Sequence, residues 1–435
     1  MEIHQAIYKE ENMAETKEST SGNYPELFQP LKIGSVEIKN RFAMSATCLD
    51  AIEPGGFVGD RIIYFFAARA RGGTGLIFTL PAEIEPNITS VKYMNPWLYN
   101  SLHLPGWSEL AETIHAWGAK SFVEVSPGGP GRLGALLGDG NALAPSPVPI
   151  HMDPELVVSK KARKLWEKRG LDLEAHYHIQ KVYPVPKEIT TEEIHKIEDQ
   201  VANAVYLSEQ AGFDGAEVHT AHGVLGANFL SPHTNLRKDE YGGSMENRTR
   251  FTRNILERAR KKIGKNFALG IRISAAEHVP GGLTAEETAE ICKYLEPYVD
   301  FFDLSNGVHH ESHTFMIPDE DGTVIEEGAV IKRAVKVPVI TPSIHNPELG
   351  SKAILGGKTD MMASSRQLIV DPDYPNKVRE GKPYRKCIKC LLGCTGRIDI
   401  GLPLRCELNP NVLLEYRDLE LDRRNAPIRK TFTIR

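Results

Sequence analysis

At 435 residues, with 41% hydrophobic and 25% charged side chains, the chain has the composition of a soluble globular protein with a sizeable core, as two or three domains or as one barrel with extensions. A net charge of −5 carries no basic excess of the kind that nucleic-acid binding requires. The N-terminal stretch is polar, without an apolar run of signal-peptide length, and nowhere is there an uncharged apolar run long enough to cross a membrane, so a cytoplasmic protein with a mobile tail over residues 1–22 is expected.

From Asn40 onward, short apolar or β-branched runs alternate with longer amphipathic ones, the pattern of parallel strands joined by crossover helices. The predicted strands are Arg41–Ala46, Gly75–Thr79, Lys120–Val125, Gly215–His219, Ala268–Ile273, Phe301–Ser305, Val337–Thr341 and Asp360–Ala363. Their number favours a closed (β/α)8 TIM barrel over residues 23–380. Thr190-x-x-Glu193 and Thr284-x-x-Glu287 are capping-box sequences, and after the first of them Ile194, Ile197, Val201, Ala204 and Val205 recur at helical spacing.

Gly129-Pro-Gly131-Arg-Leu-Gly134 matches a dinucleotide fingerprint, but the following Asn141–Pro149 can form neither the helix nor the second strand that a Rossmann turn needs. Residues 150–189 are too long for an ordinary connection and follow the third strand on the face where barrel active sites lie. Their basic helical core suggests a lid offering Lys160, Lys161, Arg163 and Lys164 to phosphates, with a solvated helix face as the plain alternative.

Residues 213–251 hold the chemistry. His219 and His222 stand three apart where a buried strand ends, so two imidazoles can converge on one small polar group such as a carbonyl oxygen. For a single histidine, core packing would be the simpler role. The most specific spacing is Cys387-x2-Cys390-x3-Cys394-x11-Cys406, in an extension over residues 381–435. Four thiolates so placed suit zinc or an iron–sulfur cluster, and spacing alone does not choose. Loops after the seventh and eighth strands, where barrels build phosphate nests, offer Thr341-Pro342-Ser343 and Ala363-Ser364-Ser365-Arg366.

From about Tyr24 to Cys406 the chain resembles the old yellow enzyme family of FMN oxidoreductases, in its iron–sulfur branch with 2,4-dienoyl-CoA reductase, trimethylamine dehydrogenase and bile-acid 4-desaturase-like proteins. The resemblance implies FMN and a [4Fe-4S] cluster on Cys387, Cys390, Cys394 and Cys406. It implies that His219 and His222 grip the substrate carbonyl, that Ala46, Thr47 and Cys48 run beside the flavin, that Arg272 faces its pyrimidine, and that Ser365 and Arg366 hold its phosphate.

Two positions depart from the family pattern. Glu124 stands where a flavin-binding glutamine is usual, and a carboxylate only accepts hydrogen bonds, so either its pKa is raised or it pairs with a cation such as Arg272. Val224 stands where the family's substrate-protonating tyrosine is usual, so the proton comes from elsewhere, from water, or is not needed in a dehydrogenation; by resemblance His310 matches a histidine that assists proton delivery in dienoyl-CoA reductase and is the first candidate, with a purely structural role as the alternative.

The expected activity is reduction or formation of a C=C bond conjugated to a carbonyl or thioester, with enoyl-CoA, steroid-like and aromatic enone substrates all open. The rivals are an amine dehydrogenase resembling trimethylamine dehydrogenase and a non-catalytic electron-transfer subunit. The sequence stops at Arg435 without the C-terminal FAD and NADH module of larger relatives, so a separate donor or acceptor protein is expected, and homo-oligomerisation is left open.

Overall fold

The computed structural model describes residues 17–18, 24–85, 95–127, 143–151, 154–170, 185–309, 311–399, 401–422 and 425–427. Eight parallel strands close into a barrel: β1 (Phe42–Met44), β2 (Leu76–Glu83), β3 (Lys120–Ser126), β4 (Gly215–Thr220), β5 (Ala268–Ser274), β6 (Phe301–Ser305), β7 (Val339–Thr341) and β8 (Met361–Ala363). Every residue of β2 and β5 is buried, because helices cover the outer face and side chains fill the inner one. The Gly129–Gly134 fingerprint and His310 lie outside the described residues.

Each strand is followed by a helix: α1 (Asp60–Arg71), α2 (Leu104–Ala116), α3 (Thr191–Gln210), α4 (Met245–Lys262), α5 (Ala285–Leu295), α6 (Ile325–Ala334), α7 (Pro347–Leu355) and the short α8 (Ser365–Val370). Both capping boxes form. Thr190 N–H donates to Glu193 Oε2 at 2.8 Å, and Thr284 N–H to Glu287 Oε2 at 2.9 Å, with the threonine hydroxyls accepting the reciprocal bonds. The helical stripe of α3, from Ile194 to Val205, is buried as its spacing predicts.

The N-terminal end of the barrel is sealed by Phe78, Phe122 and Phe301, whose ring centroids lie 5.3–5.7 Å apart. Glycine makes room for them. A Cβ on Gly215 would lie 2.8 Å from the Phe122 ring, and one on Gly270 would lie 2.5 Å from the Phe301 ring. An antiparallel pair, Leu31–Ile33 with Val36–Ile38, adds Ile33, Val36 and Ile38 to this plug.

The C-terminal extension shares the barrel's core rather than forming one of its own. Leu404, Val412 and Leu413 pack into the main cluster, buried Glu415 pairs with buried Arg69 at 2.7 Å, and Leu404 N–H donates to Leu49 O at 3.0 Å. Lys17–Glu18 pair with Tyr384–Arg385, a point of attachment inside the stretch expected to be a mobile tail.

The basic segment is helical at Lys160–Lys168 as expected, but its apolar face seats on the cysteine loop. Trp166, 1% exposed, donates from Nε1 to Cys390 O at 3.0 Å, and Arg169 pairs with Glu407 at 2.9 Å. No described helix is long and apolar enough to cross a membrane.

Candidate functional site

Successive side chains of a strand face opposite ways, so Glu217 and His219 on β4 share the inner face. His219 is 7% exposed at the end of β4, with its Cα in register with Arg272 of β5. Ala221 N–H donates to His219 Nδ1 at 3.3 Å, which fixes the neutral tautomer and leaves Nε2 carrying the proton.

His222 adopts a left-handed backbone at φ 63°, a conformation costly for a non-glycine residue. Its neighbours hold it there. Its N–H donates to Ser274 Oγ at 3.2 Å, its carbonyl accepts from His309 N–H at 3.0 Å, and its Nε2 bonds the Ser305 hydroxyl. The two imidazoles meet edge to face with centroids 5.0 Å apart. The structure thus brings together the pair that the spacing predicts.

Burial lowers the His219 pKa to about 4, the Glu124 charge only partly opposing it. Burial pushes His222 further below its ordinary value, with Arg272 and His219 adding to the shift. Near neutral pH both rings are therefore uncharged hydrogen-bonding groups rather than cations.

Glu124, 1% exposed on β3, accepts from Arg272 Nη1 at 2.8 Å. Burial raises its carboxyl, but His219 and the Arg272 guanidinium together hold it below the usual value. Since His219 is itself neutral, Arg272 is the standing cation, and the departure at Glu124 resolves as an ion pair. Arg272 Nε also lies 3.4 Å from Asp303 Oδ2 of β6.

The loop after β1 runs beside this pair, with Ala46 O at 3.5 Å from Arg272 Nη1 and Thr47 Oγ1 donating to Ser45 O at 3.1 Å. Half-buried Cys48 holds a neutral thiol, because desolvation and the carboxyls of Glu124, Asp50 and Glu83 push its pKa up.

At the ends of β1 and β8, the hydroxyls of Ser45 and Ser364 and the Nη1 of Arg366 are buried with no hydrogen-bond partner. These are the donors an anionic phosphate group needs, so the residues present fit the phosphate end of a flavin nucleotide. Ser365 Oγ is instead engaged by Ser45 O at 2.7 Å, and Ser343 stands in the left-handed region at φ 60° with its carbonyl accepting from Gly322 N–H at 2.9 Å.

Arg366 also lines a small cavity, together with Cys387, Cys390, Cys394 and Cys406. All four predicted thiols therefore face one space. Among the described residues no three His, Cys, Asp or Glu side chains are grouped to hold a metal ion. Four thiols lining one space fit either a zinc ion or an iron–sulfur cluster.

Several participants are not evident from motif reading. Ser274 and Ser305 fix His222, and an Asp321 carboxylate accepts from His345 at 2.7 Å and Lys389 at 2.8 Å, tying the loops after β6 and β7 to the cysteine loop. Strand alternation points to one of them, since Ser305 shares the inner face with Asp303. Val224 is 8% exposed and has no acid to offer.

The profile of the NADH:flavin oxidoreductase / NADH oxidase family matches residues 26–385. The chain is 33% identical over 419 residues to an NADH oxidase of Thermoanaerobacter brockii, covering 95% of this chain and 60% of that protein. To a cinnamate reductase of Clostridium sporogenes it is 32% identical over 419 residues, covering 89% of this chain and 58% of that one. The structure of a 2-naphthoyl-CoA reductase with 2-naphthoyl-CoA matches with a TM-score of 0.77 at 30% identity, over 91% of this chain and 58% of that chain. This chain thus spans less than two thirds of the length of these relatives. It belongs to the NADH:flavin oxidoreductase / NADH oxidase family.

Proposed function

From that membership we propose that the chain binds FMN at the open end of the barrel and a [4Fe-4S] cluster on Cys387, Cys390, Cys394 and Cys406, and reduces or forms a C=C bond conjugated to a carbonyl or thioester. The observation that carries the reading is the neutral His219–His222 pair at the end of β4, beside the Arg272–Glu124 ion pair. FMN held there would supply two-electron hydride chemistry toward the substrate and one-electron exchange with a metal centre on the cysteines.

His219 Nε2–H donates to the substrate carbonyl oxygen. His222, with Nε2 engaged by Ser305, meets the same oxygen through Nδ1. These bonds strengthen as charge grows on the oxygen, so they act on the transition state more than on the ground state. Because both rings are neutral near pH 7, neither gives up a proton to the oxygen, and the α-carbon proton comes from elsewhere. Arg272 holds a fixed positive charge for the pyrimidine edge of the flavin, and Ser45, Ser364 and Arg366 supply donors to its phosphate. An electron carrier serves the cysteine centre, and the cytoplasm is the compartment that suits six reduced thiols.

The test is anaerobic reduction of a simple enone or enoyl thioester by FMN-loaded protein with dithionite as electron source. Replacing both His219 and His222 by Ala should lower kcat/KM about 30-fold to 1000-fold with FMN content unchanged. Turnover within about threefold of native would make the pair structural and overturn the reading.

A further inference from the structure

Three carboxyl groups and one guanidinium meet inside the barrel. Glu124 is 1% exposed, Glu217 and Asp303 are 0%, and Arg272 is 8%. Register puts them together, since Glu124 and Glu217 are Cα partners across β3 and β4, and Arg272 and Asp303 across β5 and β6. Fully ionised, the group would leave two negative charges uncompensated in the interior, which desolvation forbids.

The geometry shows where protons must sit. Among the described residues neither oxygen of Glu217 has a hydrogen-bond partner, and across the β3–β4 register its neighbour is Glu124. A second carboxylate buried beside Glu124 with no donor of its own is not held ionised, so the proton belongs to Glu217, because Arg272 holds Glu124 ionised at 2.8 Å. Asp303 is different. Its Oδ2 lies 3.4 Å from Arg272 Nε, yet neither of its oxygens makes a hydrogen bond, so attraction to Arg272 alone opposes its desolvation.

We propose that Glu217 and Asp303 form a proton-storage site inside the barrel, in which Asp303 takes up a proton from solvent when negative charge is placed beside Arg272, as reduction of a bound flavin ring does. The flavin reading above is the premise of that coupling. Two electrons and one proton leave the ring anionic, and a second proton makes an O–H bond on Asp303, so the Arg272 charge is released from Asp303 to the ring.

The groups facing Asp303 are Arg272 from β5, Glu124 from β3 and Glu217 from β4, with neutral His219 beyond Glu124. Burial raises Asp303 to about 7, Arg272 opposing and Glu124 adding, and burial with the Asp303 charge raises Glu217 well above the carboxylate range.

Flavin-free protein gives the first test. A carboxyl whose folded pKa exceeds its unfolded one stabilises fully below the unfolded value and loses that contribution as pH rises to the folded one. Between about pH 5 and pH 7 the native folding constant should therefore fall with pH about tenfold per unit more steeply than that of Asp303→Asn. The infrared absorbance of protonated carboxyls, followed at about pH 9 where a carboxyl titrating near 7 is ionised, should lose a component in Glu217→Gln.

With FMN bound, the native two-electron potential should change by about 59 mV per pH unit just above pH 7, a hundredfold in equilibrium constant, against about 30 mV in Asp303→Asn. Equal slopes in both would overturn the proposal, as would an infrared spectrum unchanged by Glu217→Gln. Should Asp303→Asn not retain flavin, the flavin-free slopes decide alone. Native protein that shows the slope difference but reduces no enone would overturn the proposed function and leave the proton site standing.

Discussion

The barrel mouth and the cysteine loop lie side by side, and they are prepared for their ligands in opposite ways. At the mouth the working groups are already held by protein. Glu124 is paired with Arg272, His222 is bonded through both backbone and ring, and His219 has a fixed tautomer. In the cysteine loop no cation among the described residues is paired with the thiols as Arg272 is with Glu124, and burial pushes Cys390 up to about 12 and Cys406 to about 11. The mouth is organised by the fold alone, whereas the four thiols of the cysteine loop would become thiolates only on binding the metal group proposed for them.

The sharpest way to break this contrast is to remove a thiol. Cys387→Ser, Cys390→Ser, Cys394→Ser and Cys406→Ser should each abolish iron, sulfide and the broad visible absorbance while FMN remains bound. Anaerobic protein holding stoichiometric zinc and no sulfide would show that the loop serves a different ion.

At the mouth the missing acid is the next largest effect. A positioned acid is worth about 100-fold to 10,000-fold, so Val224→Tyr should speed enone reduction within that range where proton delivery limits the rate. Stopped-flow measurement of the two half-reactions checks it. An unchanged oxidative half-reaction would mean that solvent or another residue already protonates the α-carbon without limiting the rate.

The ion pair offers a third probe, on flavin-free protein. Arg272→Met leaves Glu124 buried without its cation and should cost about 3–5 kcal/mol in chemical denaturation, whereas a mouth not organised by the fold would tolerate the change.

The smallest effect lies at the other end of β4. Burial opposes the Asp214 charge, but His115 at 2.6 Å and Lys120 at 2.8 Å outweigh it and hold the carboxyl at about 2. Its folded pKa is depressed, so the stabilisation is complete above about pH 4 and is lost as pH falls through about 2, amounting to about 2 kcal/mol. Asp214→Asn should remove that loss from an acid titration of Tm.

What the sequence makes legible follows the same division. The barrel strands are readable because strands buried on both faces appear as apolar runs, and the α3 and α5 starts because Thr-x-x-Glu is a local signal. His219 and His222 are readable because one strand end and one turn bring them together. The partners that hold His222 come from β5 and β6, 52 and 83 residues away, and no local pattern announces them. Glu217 and Asp303 are missed for another reason: inside apolar runs a single acid looks like a strand-end irregularity unless its inward register is followed. Trp166 is visible as the apolar tooth of a basic helix, but its seat on a loop 224 residues later is not.

That seat has a practical consequence. An indole 1% exposed, hydrogen-bonded to the carbonyl of one of the four cysteines, is an optical reporter of the cysteine loop built into the chain. Trp166 sits on the nine-residue helix Lys160–Lys168 of the segment that follows β3, so a change in the cysteine loop is felt in that helix directly. Filling and emptying of the cysteine site would then be readable as tryptophan emission, without any added dye.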